Sequence, residues 1–200
     1  MNDEGVDRSK RRFLINLTTA LGAVGTAFVA TPFVLSMMPS ARARAAGAPV
    51  EVDISKLEPG QLLTVEWRGK PVWILRRTRA MLKSLTDVEK LLADPKSGVA
   101  DQQPSYAQND ARSIKPEILV LVGICTHLGC SPDKRLDAGI ASGLGDDWLG
   151  GFFCPCHGSK FDLAGRVYKN VPAPTNLVVP PHAYLSDRRI IIGADQKGAA

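Results

Sequence analysis

All four cysteines and two of the three histidines of this 200-residue chain fall between Cys125 and His157. They form two short segments, Cys125-Thr126-His127-Leu128-Gly129-Cys130 and Cys154-Pro155-Cys156-His157-Gly158-Ser159, each with two thiols and one imidazole. Thiolates and imidazoles together are a ligand set for zinc and for iron–sulfur centres. A zinc site with two of each would leave one cysteine over in each segment, and the spacing does not resemble that of a zinc finger. Two disulfides would use every sulfur but leave two histidines within two residues of a cysteine without a purpose. Cysteines clustered in this way are not a scaffold for a chain of this size, so metal or redox chemistry is the first expectation.

The rest of the chain has to carry and place those segments. With 44% hydrophobic and 22% charged residues it reads as globular, with room for one domain and an appendage. Of the formal net charge of +5, much is local: Arg8, Lys10, Arg11, Arg12, Arg42 and Arg44 flank one apolar run. That pattern suits a membrane segment, and no aromatic-interleaved basic stripe points to nucleic acid. Phe13 to Ala41 carries no charged residue; as a helix it would be about 44 Å long against a hydrocarbon core of about 30 Å. The h-region of a cleaved signal is only about 7–15 residues, so an uncleaved anchor is expected. The predicted organisation is a cytoplasmic tail over 1–12, a transmembrane helix over 13–38 closed by Met37 and Met38, a flexible hinge over 39–49 and an exported domain over 50–200. The excess of bases before the run favours a cytoplasmic N-terminus.

From Val50 onward strands dominate. Leu62 to Trp67 and Val72 to Leu75 flank a hairpin turn at Arg68-Gly69-Lys70-Pro71. Met81 to Leu92 has helical spacing. Ile118 to Val122 is an apolar strand leading into Cys125, and Leu177 to Val179 and Arg189 to Ile192 bracket a turn at Ser186-Asp187. The fold class predicted is mainly β: a small antiparallel domain with one short helix, behind a single N-terminal transmembrane helix. His182 is expected to be an ordinary surface or edge residue, and Trp148 to serve packing.

The paired segments, C-T-H-x-G-C and C-P-C-H-G-S, resemble those of the Rieske iron–sulfur family. Val171-Pro172-Ala173-Pro174 is similar to that family's proline loop, although Val171 stands where glycine is usual. The likeness runs over residues 118–193, with cluster-binding loops within 123–175. Ser9-Lys10-Arg11-Arg12-Phe13-Leu14 also resembles a twin-arginine export signal, with Lys10 in place of the first arginine. Such export suits a cluster assembled in a reducing cytoplasm, because the protein must then cross the membrane folded.

The resemblance implies a Rieske-type domain with a cluster-binding subdomain and one [2Fe–2S] cluster per subunit, held by Cys125, His127, Cys154 and His157. Histidine ligation raises the potential of such centres to about −150 to +300 mV. It further implies a Cys130–Cys156 disulfide, found in quinol-oxidising members and lacking in typical oxygenase ferredoxins. Ser159 matches the hydroxyl that bonds a bridging sulfide. Phe161 stands where high-potential members carry tyrosine, so a somewhat less oxidising centre is expected. By the same resemblance Leu128 is an apolar docking tip, and His127 and His157 meet the quinol and take its proton as the electron leaves. The implied role is the electron-transfer subunit of a ubiquinol–cytochrome c reductase, a dimeric complex in a bacterial inner membrane. There the periplasmic head swings on the hinge between the quinol site of cytochrome b and cytochrome c1. The competing reading is the small Rieske subunit of an exported oxidase such as arsenite oxidase.

Overall fold

The computed structural model describes residue 5, residues 7–195 and residues 198–199. It divides into two compact units, residues 1–45 and 46–200, and the division falls inside the expected hinge. In the first unit, α1 (Arg8–Ser36) starts where the Asp7 carboxylate accepts hydrogen bonds from the Ser9 and Lys10 N–H groups, and Met37 caps its end. The helix has a mean hydropathy of 1.7 over its most apolar stretch, and by length and composition it can cross a membrane. Its apolar side chains point outward on all sides, Phe28 being 82% and Val24 68% exposed. The hydroxyls of Thr18, Thr26 and Thr31 donate back to carbonyls one turn earlier, which lowers the cost of placing them in hydrocarbon.

The expected hinge is not irregular throughout. Residues 41–46 form α2 (Ala41–Ala46), and the Ser40 hydroxyl accepts from the Ala43 N–H at its start. The cause is local: alanine and arginine are strong helix formers, and neither glycine nor proline intervenes before Gly47.

The second unit contains three antiparallel three-stranded sheets. β1 (Val50–Asp53) opens it; β2 (Leu62–Trp67) and β3 (Lys70–Arg76) form a hairpin, and α3 (Arg79–Asp87) follows. Then come β4 (Ile118–Val122), β5 (Asp133–Arg135), β6 (Gly151–Cys154), β7 (Ser159–Phe161), β8 (His182–Ser186) and β9 (Arg189–Ile192). A short pair, β10 (Ala194–Asp195) with β11 (Gly198–Ala199), closes the described chain. The sheet orders are β2-β3-β4, β5-β6-β7 and β1-β9-β8.

Alternation along β3 and β4 explains the architecture. Val72, Ile74, Ile118, Val120 and Val122 face a core shared with Val52, Ile190 and Ile192. Trp73, Leu75, Leu119 and Leu121 face a second core with Phe152, Phe161, Leu163 and Leu177. β3 and β4 are thus buried on both faces, between the terminal sheet and the sheet that carries the second cysteine–histidine segment. That is why β3 and β4 are apolar at nearly every position. Gly123, just past β4, lies against Trp73; a Cβ there would run into the indole.

Several expectations need correction. The hairpin turn is only Arg68-Gly69, both with positive φ (52° and 69°), while Lys70 and Pro71 already belong to β3. α3 ends at Asp87 rather than Leu92. Leu92 is drawn into a bridge with Tyr168 and the Ala93 N–H donates to the Val167 carbonyl, so tertiary pairing overrides helical spacing. Leu177 to Val179 is not a strand: its backbone bonds go to Gly165, Val122 and Gln102 in turn. Trp148 does pack, with its indole N–H donating to the Arg135 carbonyl.

His182 is not a surface residue; it is 1% exposed. Its ring stands edge-on to Tyr106, whose hydroxyl accepts from the His182 N–H and donates to the His182 carbonyl. Nδ1 lies 2.9 Å from the Pro180 carbonyl, an acceptor only, so Nδ1 carries the proton. Nε2 is left buried without a partner. Burial therefore lowers the pKa of His182, and the Pro180 bond opposes the shift only in part. A group that resists protonation when folded contributes stability above its unfolded pKa of about 6.5 and loses it as pH falls. Urea midpoints compared at pH 7.5 and pH 5.5 should fall more for the wild type than for His182→Gln; equal falls would show that His182 is not coupled to folding.

Candidate functional site

Both segments are the same kind of turn. In the first, the Gly129 N–H donates to the Cys125 carbonyl; in the second, the Gly158 N–H donates to the Cys154 carbonyl. Each glycine lies four residues after its cysteine and has positive φ, 84° and 77°, which favours glycine there. The first turn hangs from β4 and is closed by the Cys125 N–H donating to the Cys130 carbonyl at 2.7 Å. The second is the loop of the β6–β7 hairpin, where Cys154 pairs with Ser159.

Cys130 and Cys156 form a disulfide that ties the two turns together. Cys125 and Cys154 remain free thiols, 2% and 1% exposed. The rings of His127 and His157 meet edge to face with centroids 4.7 Å apart. His157 is exposed and His127 half-buried. All six residues singled out by type and spacing are therefore gathered at one end of the unit.

A third segment lies over them. The Ala173 N–H donates to the Ser159 hydroxyl, and the Thr126 hydroxyl donates to the Thr175 carbonyl at 2.7 Å. The loop Val171 to Pro174 is thus anchored to both turns. The positive φ at its head belongs to Asn170 (58°), not Val171, so valine is accommodated and packs against the core. Thr126 sits inside the first motif, but nothing in the sequence showed that it holds the proline loop.

The donor chemistry fits a [2Fe–2S] cluster with two thiolate and two imidazole ligands. Two buried free thiols, one from each turn, face the interior. Nδ1 of His127 is buried with no hydrogen-bond partner, as suits a nitrogen that ligates. Among the described residues the one compact trio of metal-binding atoms, within 4.8 Å of one another, is Cys130, Cys154 and Cys156, and two of these are spent on the disulfide. The four candidate ligands are thus spread wider than a single tetrahedral ion gathers, and a two-metal cluster spans such a spread. Burial pushes the Cys125 thiol up; the His127 N–H and the Ser159 hydroxyl, hydrogen-bonded to its sulfur, oppose this, and the neighbouring Cys154 adds to it. Leu128, between His127 and Gly129, is 72% exposed.

A family model described as the Rieske [2Fe-2S] domain matches residues 49–181. A second, described as the Ubiquitinol-cytochrome C reductase Fe-S subunit TAT signal, matches residues 1–40. The chain is 60% identical over 199 residues to the ubiquinol-cytochrome c reductase iron-sulfur subunit of Allochromatium vinosum, covering 100% of this chain and 95% of that one. It is 43% identical over 195 residues to the subunit of the same name from Blastochloris viridis, covering 96% and 97%. With that of Rhodospirillum rubrum it shares 45% over 189 residues, covering 94% of each.

The bridge closes a loop of sequence separation 26, so removing it frees the unfolded chain. The double variant Cys130→Ala, Cys156→Ala should lose about 2–4 kcal/mol of unfolding free energy. Urea unfolding checks this: the midpoint falls and the slope rises, because an uncrosslinked chain exposes more surface. An unchanged midpoint would mean that the bridge contributes nothing to the fold.

Proposed function

The chain belongs to the Rieske [2Fe–2S] domain family, and on that premise we propose that it is the iron–sulfur subunit of a ubiquinol–cytochrome c reductase. Identity of 60% along the whole chain with a relative of that name carries the reading. The site agrees: a disulfide joins two turns that each offer one free thiol and one imidazole.

Cys125, His127, Cys154 and His157 would hold the cluster. When bound, it supplies a one-electron acceptor whose imidazole ligands place its potential above that of an all-thiolate centre. The chain's own residues do the rest. The two imidazoles, at the exposed end of the head, present a ring nitrogen to a quinol hydroxyl and hold its proton. Leu128 and the exposed Pro172 and Pro174 form an apolar rim that excludes water from that contact. Ser159 holds its hydroxyl at the Cys125 sulfur and accepts the Ala173 N–H, fixing the loop over the site.

In this reading α1 anchors the protein in a bacterial inner membrane with its N-terminus cytoplasmic and its head periplasmic. Residues 39–49 let the head move between cytochrome b, where ubiquinol is oxidised, and cytochrome c1. The helical turn α2 makes that segment a short rod between two softer joints, Pro39-Ser40 and Gly47-Ala48-Pro49, rather than a uniform coil.

The test is the electron paramagnetic resonance spectrum of membranes reduced with ascorbate. A Rieske-type signal at that poise is expected; a signal only with dithionite, or bound zinc and no signal, would overturn the reading. The same membranes examine the tuning. Phe161 is fully buried in β7, two residues from Ser159, and has no hydroxyl to donate to a ligand sulfur. Phe161→Tyr should raise the potential by on the order of 100 mV, the scale of one hydrogen bond to a charged group, about 1.5–3 kcal/mol. A redox titration showing no rise would mean that the added hydroxyl does not reach a cluster sulfur.

A further inference from the structure

Three sulfur atoms are gathered together at the tip. Sγ of Cys154 lies within 4.8 Å of Sγ of both Cys130 and Cys156, which are bonded to each other. Cys154 is a free thiol and almost wholly buried. A thiol beside a disulfide is the reactant pair of thiol–disulfide exchange. We propose that Cys154 is an internal nucleophile toward the Cys130–Cys156 bridge, restrained while its sulfur is a cluster ligand; the proposal rests on the ligand reading above.

The reaction needs no oxidant. The Cys154 thiol gives its proton to solvent and its sulfur attacks Sγ of Cys130. The Cys130–Cys156 bond breaks as the Cys130–Cys154 bond forms, and Cys156 leaves as a thiolate that takes up a proton. Attack on Cys130 is favoured over attack on Cys156, because the latter would close a ring through Pro155 alone, whose fixed φ resists it. Solvation drives the exchange forward: the free thiol moves from a buried position to Cys156, which is exposed. Cys125 is hydrogen-bonded to the Cys154 side chain but stands outside the compact sulfur trio, so it is not the thiol placed against the bridge.

The consequence concerns the order of assembly. A chain whose bridge closes before its cluster is in place isomerises to a form in which Cys154 can no longer ligate, so it shuts itself to loading. A chain loaded first has its nucleophile occupied, and its bridge then persists. The bridge thus works as a check on the sequence of maturation as well as a clamp.

The test uses the full chain purified in detergent with its cluster. One portion is kept intact and another is stripped anaerobically with an iron chelator. Both are alkylated, digested without reductant and mapped by mass spectrometry, with fragment ions separating Cys154 from Cys156. The intact portion should show the Cys130–Cys156 bridge and no label on Cys125 or Cys154. After stripping, label should appear on Cys125 and Cys156, with a Cys130–Cys154 bridge. In Cys154→Ser, which lacks one ligand and is carried through the chelator step as an empty chain, the Cys130–Cys156 bridge should survive with Cys125 alone labelled, which shows that an empty site and chelator by themselves do not open it. Stripped wild type that keeps Cys130–Cys156 and labels Cys154 would overturn the proposal. So would a bridge from Cys125 to Cys130 or Cys156, since Cys125 stands outside the trio and that pairing reports unfolding rather than a poised neighbour. Label on Cys154 in the intact portion, with the cluster spectrum undiminished, would instead overturn the ligand assignment.

Discussion

Three buried guanidiniums converge on one turn, and the site stands on it. Residues 162–166 follow β7 directly, and Asp162 organises them by accepting from the Ala164 and Arg166 N–H groups and from the Arg166 side chain. Arg77 donates to the Leu163 carbonyl, and Arg112 to those of Ala164 and Gly165. Arg166 reaches outward to the carbonyls of Leu85 and Pro95. α3 and the long connection before β4 are thereby fastened to the hairpin that carries Cys154 and Ser159. Among the described residues only the Asp162–Arg166 pair, 1% exposed on each side, is a fully buried ion pair. Desolvating an ion costs several kcal/mol even after relaxation, and burial pulls Arg77 and Arg112 down to about 10. Both remain charged at neutral pH. What offsets the cost is the number of carbonyl acceptors, since each hydrogen bond to a charged group contributes about 1.5–3 kcal/mol. The arrangement holds irregular backbone in one shape where no strand ladder is present to do so.

This explains what the sequence shows and what it hides. β2, β4 and β9 are legible to the residue because a strand buried on one or both faces must be apolar on those faces, and the reading frame follows. The two turns at the tip are legible because cysteine and histidine at such spacing have few other uses. Arg77, Arg112 and Arg166 are not legible: in one dimension a buried arginine looks like a solvated one, and their acceptors lie 34 to 86 residues away for Arg77 alone. His182 fails for the same reason, since its burial depends on Tyr106, 76 residues earlier. Leu177 to Val179 is apolar for a buried segment, yet its backbone bonds are divided among three elements, and periodicity cannot separate that from a strand.

The tip itself is an exception to ordinary surface chemistry. A solvent-facing Leu128 beside an exposed disulfide and an exposed imidazole is not a folding solution, because burying the leucine would stabilise the unit. The two glycines at 129 and 158 fix the backbone so that Leu128 and His157 are held outward. Conformational freedom is removed in advance of any encounter, so little entropy remains to be lost on contact.

The size of that contact sets how the head has to work in the proposed reading. Burying one leucine contributes about 1.5–3 kcal/mol, and a 1 mM complex in free solution requires about 4.1 kcal/mol. Leu128 with one or two hydrogen bonds from the imidazoles reaches that neighbourhood and no further. A head diffusing freely would be bound only at millimolar concentrations of its partner. A tether of about ten residues provides effective concentrations in that range without any added contact, so weak docking and a covalent leash are two halves of one solution. Tighter docking would hold the head at the first site and slow its arrival at the second. An apolar tip of a single leucine is therefore matched to a head that must release as readily as it binds.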